Sequence, residues 1–284
     1  MSPLILITGG TGKTGRRLVA RLREGGFACR VAARPVTTAE GACRFDWTRP
    51  DTWRDVVESV SAVYLVAPAI DGDPARIVID FAQLALERGV SRFVLLSASL
   101  LPAGGPAMGQ AHRWLQQNAP QWTVLRPSWF MQNFSEGQHL ATIREENRIY
   151  SATENGRVPF ISAEDIAAAA AAALTCEAPL NRDFILTGSQ LLTYDEVAER
   201  LSNATGQSIL HHRLSPDALA TRYQALGIGA PHAQMLAAMD TAIAAGAEDR
   251  ITGCVEQLTG RPPTTFDAFV HATVPEWFAP SRSS

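Results

Sequence analysis

The chain has 284 residues, 46% of them hydrophobic and 19% charged, with a formal net charge of −3. This is an ordinary composition for a chain with a sizeable core, and the slight acidity argues against a general nucleic-acid binder. Cys29, Cys43, Cys176 and Cys254 have no paired short spacing, so neither a zinc site nor a disulfide scaffold is expected and a reducing cytoplasm fits.

Leu4-Ile5-Leu6-Ile7 reads as a short buried strand. Gly9, Gly12 and Gly15 follow at intervals of three, and a helix pattern starts at once, with Leu18, Val19 and Leu22 on one face. Strand, glycine turn and helix open a dinucleotide-binding unit. Gly9 permits the tight turn, Gly12 lets a pyrophosphate approach, and Gly15 lets the helix pack close to the strand. Thr8, Lys13 and Thr14 belong to the same turn. Gly12-Lys13-Thr14 resembles the end of a nucleotide-triphosphate loop, but the four residues needed between the first and last glycine are missing. The glycines also interrupt the apolar run, so no secretory signal is expected.

A second strand runs from Ala28 to Ala33 and ends at Arg34. The acidic residue that would hold an NAD ribose is absent, and Arg34 is suited to the extra phosphate of NADP. Ala42 to Phe45 is a third strand. Asp46 follows, placed to accept an adenine amino hydrogen, and Trp47 is placed to cover the ring or to pack. A helix from about Asp51 to Glu58 leads to the strand Ala62–Val66. The segment Ala67 to Pro74, with Ala67 and Pro68 at its start, is expected on the nicotinamide side. Another helix spans Ala75 to Arg88, and Phe93–Ser97 is the fifth strand, with Ser97 at its end. Leu101 to Gly109, rich in glycine and proline, is expected to be mobile. A helix through Gln110–Gln117 and a strand at Trp122–Leu125 complete a pattern of parallel strands joined by right-handed crossovers.

Beyond about Asn133 the regularity loosens. Gly156 to Ile161 is strand-like, and the alanine-rich stretch Ala167–Ala173 reads as a buried helix. Phe184–Leu186 is strand-like. Thr193 and Glu196 form a capping box. His211-His212 lies in a strand, so the two side chains should face oppositely. Ser215-Pro216 opens a further helix, and Ala233–Ala245 is another. The expected architecture is α/β: a Rossmann-type parallel sheet flanked by helices over 1–133, and a smaller carboxyl-terminal substrate lobe over 134–284 with some segments returning to the sheet. No metal ligand pattern is found, and no run of about 20 apolar residues calls for a membrane span.

Gly9-x-x-Gly12-x-x-Gly15, Leu125-Arg126-Pro127, Trp129 to Phe134 and Gly156 to Asp165 together resemble the NmrA-like atypical short-chain reductases. Ile149 to Thr153, Leu192 to Ala198 and Thr259 to Pro263 look like the branch that contains the festuclavine and agroclavine dehydrogenases. The resemblance implies NADPH as the favoured cofactor, with NADH as a lesser option and no metal. It implies a small-molecule substrate, no nucleic acid or membrane partner, and a cytoplasmic monomer or homodimer. The family also holds quinone reductases and non-catalytic dinucleotide sensors, so the fold does not fix the reaction.

Conventional short-chain dehydrogenases use a tyrosine four residues before a lysine as their acid. Lys13 is the only lysine here, and no such pair exists. Met108 and His112 fall where that pair would be, which makes Met108 a candidate substrate contact and His112 a candidate to bind ribose or to relay a proton. Reducing a ketone needs a positioned acid. Reducing an iminium carbon does not, because its nitrogen is already cationic. Trp129, Phe130 and Phe134 are candidates to enclose an aromatic or polycyclic cation. The resemblance to that branch implies NADPH-dependent hydride transfer to a cyclic imine or iminium carbon, with which the missing acid pair is compatible; quinone reduction and dinucleotide sensing are the alternatives.

Overall fold

The computed structural model describes residues 3–33, 41–68 and 72–277. In chain order the elements are β1 (Leu4–Thr8), α1 (Lys13–Glu24), β2 (Cys29–Ala33), β3 (Ala42–Arg44), α2 (Trp53–Val56), β4 (Val60–Val66), α3 (Pro74–Glu87), β5 (Arg92–Leu96), α4 (Met108–Asn118) and β6 (Gln121–Pro127). Then come α5 (Gln132–Ser135), α6 (Leu140–Glu146), β7 (Arg148–Ser151), α7 (Ala163–Thr175), β8 (Arg182–Leu186) and α8 (Tyr194–Thr205). The chain ends with β9 (Leu210–Arg213), α9 (Pro216–Ala225), α10 (Ala230–Ala244), α11 (Cys254–Thr259) and α12 (Phe266–Trp277).

Two compact units result. The first holds residues 1–127, 163–186 and 253–262; the second holds the remainder. In the first, seven strands form one sheet in the order β3-β2-β1-β4-β5-β6-β8, every pairing parallel. Ile5, Leu6 and Ile7 are fully buried, because a central parallel strand is covered on both faces. The strand order reverses between β1 and β4, and ligands of open α/β sheets bind at such a reversal, beyond the carboxyl ends of the strands. Helix α1 buries Leu18, Val19 and Leu22. Its neighbour α7 packs through Ala167, Ala169, Ala170 and Ala173, all buried, and small side chains let the helix lie close. Glu164 at the start of α7 takes a hydrogen bond from Arg17 Nε at 2.8 Å.

The second unit is built on an aromatic core of Phe134, Phe160, Tyr194 and Phe266, beside the small parallel pair β7-β9. Helices α9 and α10 share a satellite core of Leu219, Ala220, Tyr223, Ala233 and Ala237 with Ala152. Thr193 Oγ1 accepts the Glu196 N–H at 3.2 Å, and the Glu196 carboxylate accepts the Thr193 N–H at 2.7 Å; this is the capping box read from the sequence. His211 turns its side chain inward while His212 is exposed.

Two local expectations are corrected. Gly156–Ile161 forms no strand: Val158 bridges Leu192 and Ile161 bridges Phe130, singly. Pro159 lies between them and has no N–H with which to extend a ladder. The helix expected over 51–58 shortens to α2, because Ser59 adopts a φ of 61° and β4 starts at Val60. The loop 101–109 carries hydrogen bonds of its own. Gly104 donates to the Gly109 carbonyl at 2.7 Å, and Gln110 Nε2 donates to the carbonyls of Gly104 and Gly105 at 2.7 and 2.8 Å.

Candidate cofactor and active site

The glycine turn is shaped by close approach. Gly9 sits at a φ of +62°, and the Gly12 N–H donates to its carbonyl at 2.9 Å. A Cβ on Gly15 would fall 2.2 Å from that same carbonyl oxygen, and one on Gly10 would fall 2.5 Å from Val31 Cγ1. Gly10 therefore carries a packing requirement that the spacing of three did not reveal. Gly12 caps α1 without a side chain, and the first turn holds no acidic residue. Helix amides and the positive dipole end are thus directed at an anion.

Two threonines of the turn work within the protein. Thr8 Oγ1 donates to the Tyr64 carbonyl at 2.9 Å and accepts the Val66 N–H at 2.8 Å, clamping β1 to β4. Tyr64 donates its hydroxyl to Thr14 Oγ1 at 3.2 Å, and burial holds this phenol well above the usual tyrosine range. Lys13 is half-buried, and its carbonyl accepts from Arg17 at 2.9 Å.

Gly9, Gly12, Asp46, Trp47, Ala67 and Pro68 come together around a crevice of about 350 Å³. Thr11, Phe45, Thr48 and the Ala32–Ala33 end of β2 also line it. Those positions were missed in the sequence, although lying just past a strand's carboxyl end is the signal that marks them. Asp46 Oδ1 accepts the Thr48 N–H at 2.9 Å and its hydroxyl at 2.8 Å, so the carboxylate is fixed by a local turn. Trp47 meets Phe45 and Phe81 edge-on, with centroids 4.9 and 5.2 Å apart. It packs and lines the crevice at once. Arg34 lies outside the described residues, as do residues 69–71 of the Ala67–Pro74 segment. The cradle that a Cβ would fill, the uncapped helix end and the crevice fit a dinucleotide.

At the end of β5, Ser97 Oγ is enclosed and has no hydrogen-bond partner among the described residues. His112 is 1% exposed, with both ring nitrogens unpartnered and Trp122 5.8 Å away. Burial lowers its pKa first of all; Asp183 works against this, and Arg126 and Arg113 work with it. Met108 is 6% exposed and belongs to the core of the first unit. Neither Met108 nor His112 lines the crevice. Arg126 is committed to Asp183 and to the carbonyls of Ala98 and Ser99. In the second unit Trp129 and Phe130 are half-buried, whereas Phe134 is fully buried. Its ring stacks on His139 at 5.1 Å and meets Phe160, Tyr194 and Phe266 within 6.0 Å. That side chain is core, not the wall of a slot.

A parallel sheet with a glycine turn at its reversal point, and no tyrosine–lysine pair, defines an NAD(P)H-dependent reductase of the atypical short-chain type. The chain belongs to the NAD(P)H-binding family, whose model matches residues 9–177. It is 44% identical to agroclavine dehydrogenase of Claviceps fusiformis, over 96% of this chain and 98% of that one. It is 38% identical to festuclavine dehydrogenase of Aspergillus fumigatus, over 96% and 98%. The resemblance read from the motifs thus holds across nearly the whole length. The structure of Citrobacter triphenylmethane reductase complexed with NADP(H) matches with a TM-score of 0.79 at 21% identity, over 96% of this chain and all of that one, in agreement with the fold. Among the described residues no three His, Cys, Asp or Glu side chains cluster as metal ligands, and no helix is long and apolar enough to cross a membrane.

Proposed function

We propose that the chain transfers hydride from NADPH to the carbon of a cyclic imine or iminium group in a small hydrophobic or aromatic substrate. The observation that carries this is the state of His112. The side chain offered as proton relay is buried in the first unit with a lowered pKa, and among the described residues no partner reaches either nitrogen. Such a group suits a reaction that needs no dedicated acid. When bound, the dinucleotide supplies the hydride. The two electrons and the hydrogen pass to the iminium carbon, the C=N pair becomes the nitrogen lone pair, and the substrate's positive charge is lost; an imine reacts in its protonated, iminium form, with the proton taken from solvent before hydride transfer. The chain's part is to hold the phosphates at the α1 amides, to brace the adenine side with Asp46 and Trp47, and to align the reacting carbon. Arg34 is the residue for the extra phosphate of NADPH, and Trp129 and Phe130 are the aromatic substrate contacts. The names of the two clavine dehydrogenases support the substrate class. The four unpaired cysteines fit a cytoplasmic enzyme.

The test is NADPH oxidation against N-methyl-3,4-dihydroisoquinolinium, 1,4-naphthoquinone and cyclohexanone, with product identification. A deuteride-labelled cofactor should place its label on the former iminium carbon. Rapid naphthoquinone turnover with no iminium product would make the chain a quinone reductase. NADPH binding with turnover of none of the three would favour the dinucleotide sensor.

A further inference from the structure

Tyr64 on β4 holds both ends of the glycine turn. Its side chain lies on the α1 face of the sheet, while its neighbours Val63 and Leu65 join the core on the opposite face. The Tyr64 carbonyl accepts Thr8 Oγ1 at 2.9 Å, just before the turn, and the Tyr64 hydroxyl donates to Thr14 Oγ1 at 3.2 Å, just after it. Residues 9–13 are thus strung between two anchors on one residue. Three of those five, Gly9, Gly10 and Gly12, are glycines, and glycine leaves a main chain the most freedom to lose. Val66 adds a brace two residues on: its N–H donates to Thr8 Oγ1 at 2.8 Å, and its Cβ would lie 3.1 Å from a Cβ on Gly9. Tyr64 is 0% exposed and Thr14 4%, so water does not compete for the bond between them. A phenylalanine would fill the same space; only the hydroxyl reaches α1. It is spent on the second residue of that helix, in the turn whose N–H groups have no acceptor within the helix. Such amides hold an anion when their directions are fixed together.

We propose that Tyr64 is a positioning residue for the cofactor: its hydroxyl, acting through Thr14, fixes the first turn of α1 relative to the end of β1 and so pre-organises the amides that take the pyrophosphate. Fully buried, it acts on the dinucleotide only through Thr14. The ordering cost of a glycine-rich turn is met in the folded protein before the cofactor arrives, and that raises affinity. The inference concerns the dinucleotide alone and stands whatever compound accepts the hydride.

The experiment titrates the full chain calorimetrically with NADP+ and with adenosine 2′-monophosphate, which carries the adenine and the extra phosphate but no pyrophosphate. Tyr64→Phe removes one oxygen and keeps the ring. It should weaken NADP+ about tenfold and leave adenosine 2′-monophosphate unchanged, which also reports that the variant is folded. Thr14→Val keeps the shape of the threonine and loses the acceptor. It should weaken NADP+ by the same factor, and Thr14→Ser, which keeps the hydroxyl, should recover most of that loss. The double variant Tyr64→Phe with Thr14→Val separates positioning from the cost of a lone buried polar group. Each single change leaves one member of the pair without the other; the double change leaves neither, so its melting temperature should rise back toward wild type. NADP+ affinity should nevertheless stay about tenfold down, no lower than in either single variant, because the two residues act as one tether. Wild-type NADP+ affinity in Tyr64→Phe, recovery of affinity together with melting temperature in the double variant, or an equal loss for adenosine 2′-monophosphate would each overturn the proposal.

Discussion

Arg126 donates from Nη1 to Asp183 Oδ2 at 2.7 Å while its Nη2 donates to the Ser99 carbonyl at 2.7 Å. One guanidinium thereby joins the carboxyl ends of β5 and β6 to the edge strand β8. The arginine is 12% exposed and the aspartate 34%. Arg126→Met removes the hydrogen bonds that a carboxylate and two carbonyls accept from the guanidinium, and should cost about 2 kcal/mol in urea denaturation. Asp183→Asn should cost less, about 1 kcal/mol, because water screens the aspartate's side of the pair. A larger loss from Asp183→Asn than from Arg126→Met would contradict this order.

His112 should be replaceable with profit. His112→Met removes two buried nitrogens that have no partners, and should raise stability by about 1 kcal/mol without slowing hydride transfer. A drop of about a thousandfold in the hydride step, with NADPH affinity unchanged, would show instead that His112 is the proton donor. The pH dependence follows from the same burial. His112 and His211 both have native pKa values below the ordinary 6.5, burial being the first cause of each. The unfolded chain therefore takes up these protons before the folded one. Stability is full above 6.5 and falls as the pH drops through that value toward the native ones. His112→Met should flatten part of that slope in urea titrations between pH 7 and 5.

Gly15→Ala places a methyl group 2.2 Å from the Gly9 carbonyl oxygen, which is backbone and cannot turn aside. The turn that cradles the phosphates must open. NADPH affinity should fall by about a hundredfold or more, with a stability loss of about 2 kcal/mol or more. Calorimetric titration and thermal melting read the two losses separately. Wild-type affinity in the Gly15→Ala variant would remove the close-approach role given to this glycine.

Arg34→Ala tests cofactor choice. Loss of the guanidinium should weaken NADPH binding by about tenfold or more and leave NADH nearly unchanged. Parallel titrations with the two cofactors check it. Equal weakening of both would assign Arg34 a structural role.

How far the sequence reached depended on whether a feature was local. Gly9, Gly12 and Gly15 mark a turn that their own spacing builds. Thr193 and Glu196 specify a cap through four consecutive residues. The opposite facing of His211 and His212 follows from strand geometry alone. The failures are tertiary. Phe134 looks like Trp129 and Phe130 in the sequence, yet three other aromatic rings and His139 enclose it alone. Gly156–Ile161 has strand composition, but Pro159 and its two separate partners break the ladder. The burial of His112 depends on β6 and β8, outside its own helix, and no periodicity carries it.

The chain leaves the first unit after Pro127, rejoins it for residues 163–186, and rejoins it again for 253–262. Every described residue lining the crevice nevertheless comes from the first 68. During synthesis the crevice is therefore spelled out early and braced late. A nascent chain stopped at residue 133 presents β6 as a bare edge, with its N–H and C=O groups unpaired, and leaves open the face of α1 that α7 covers. Some fifty further residues must emerge before β8 can close that edge. The protein's handling on the ribosome, and the aggregation hazard of its truncated fragments, are thus set by the detour of the chain through the second unit.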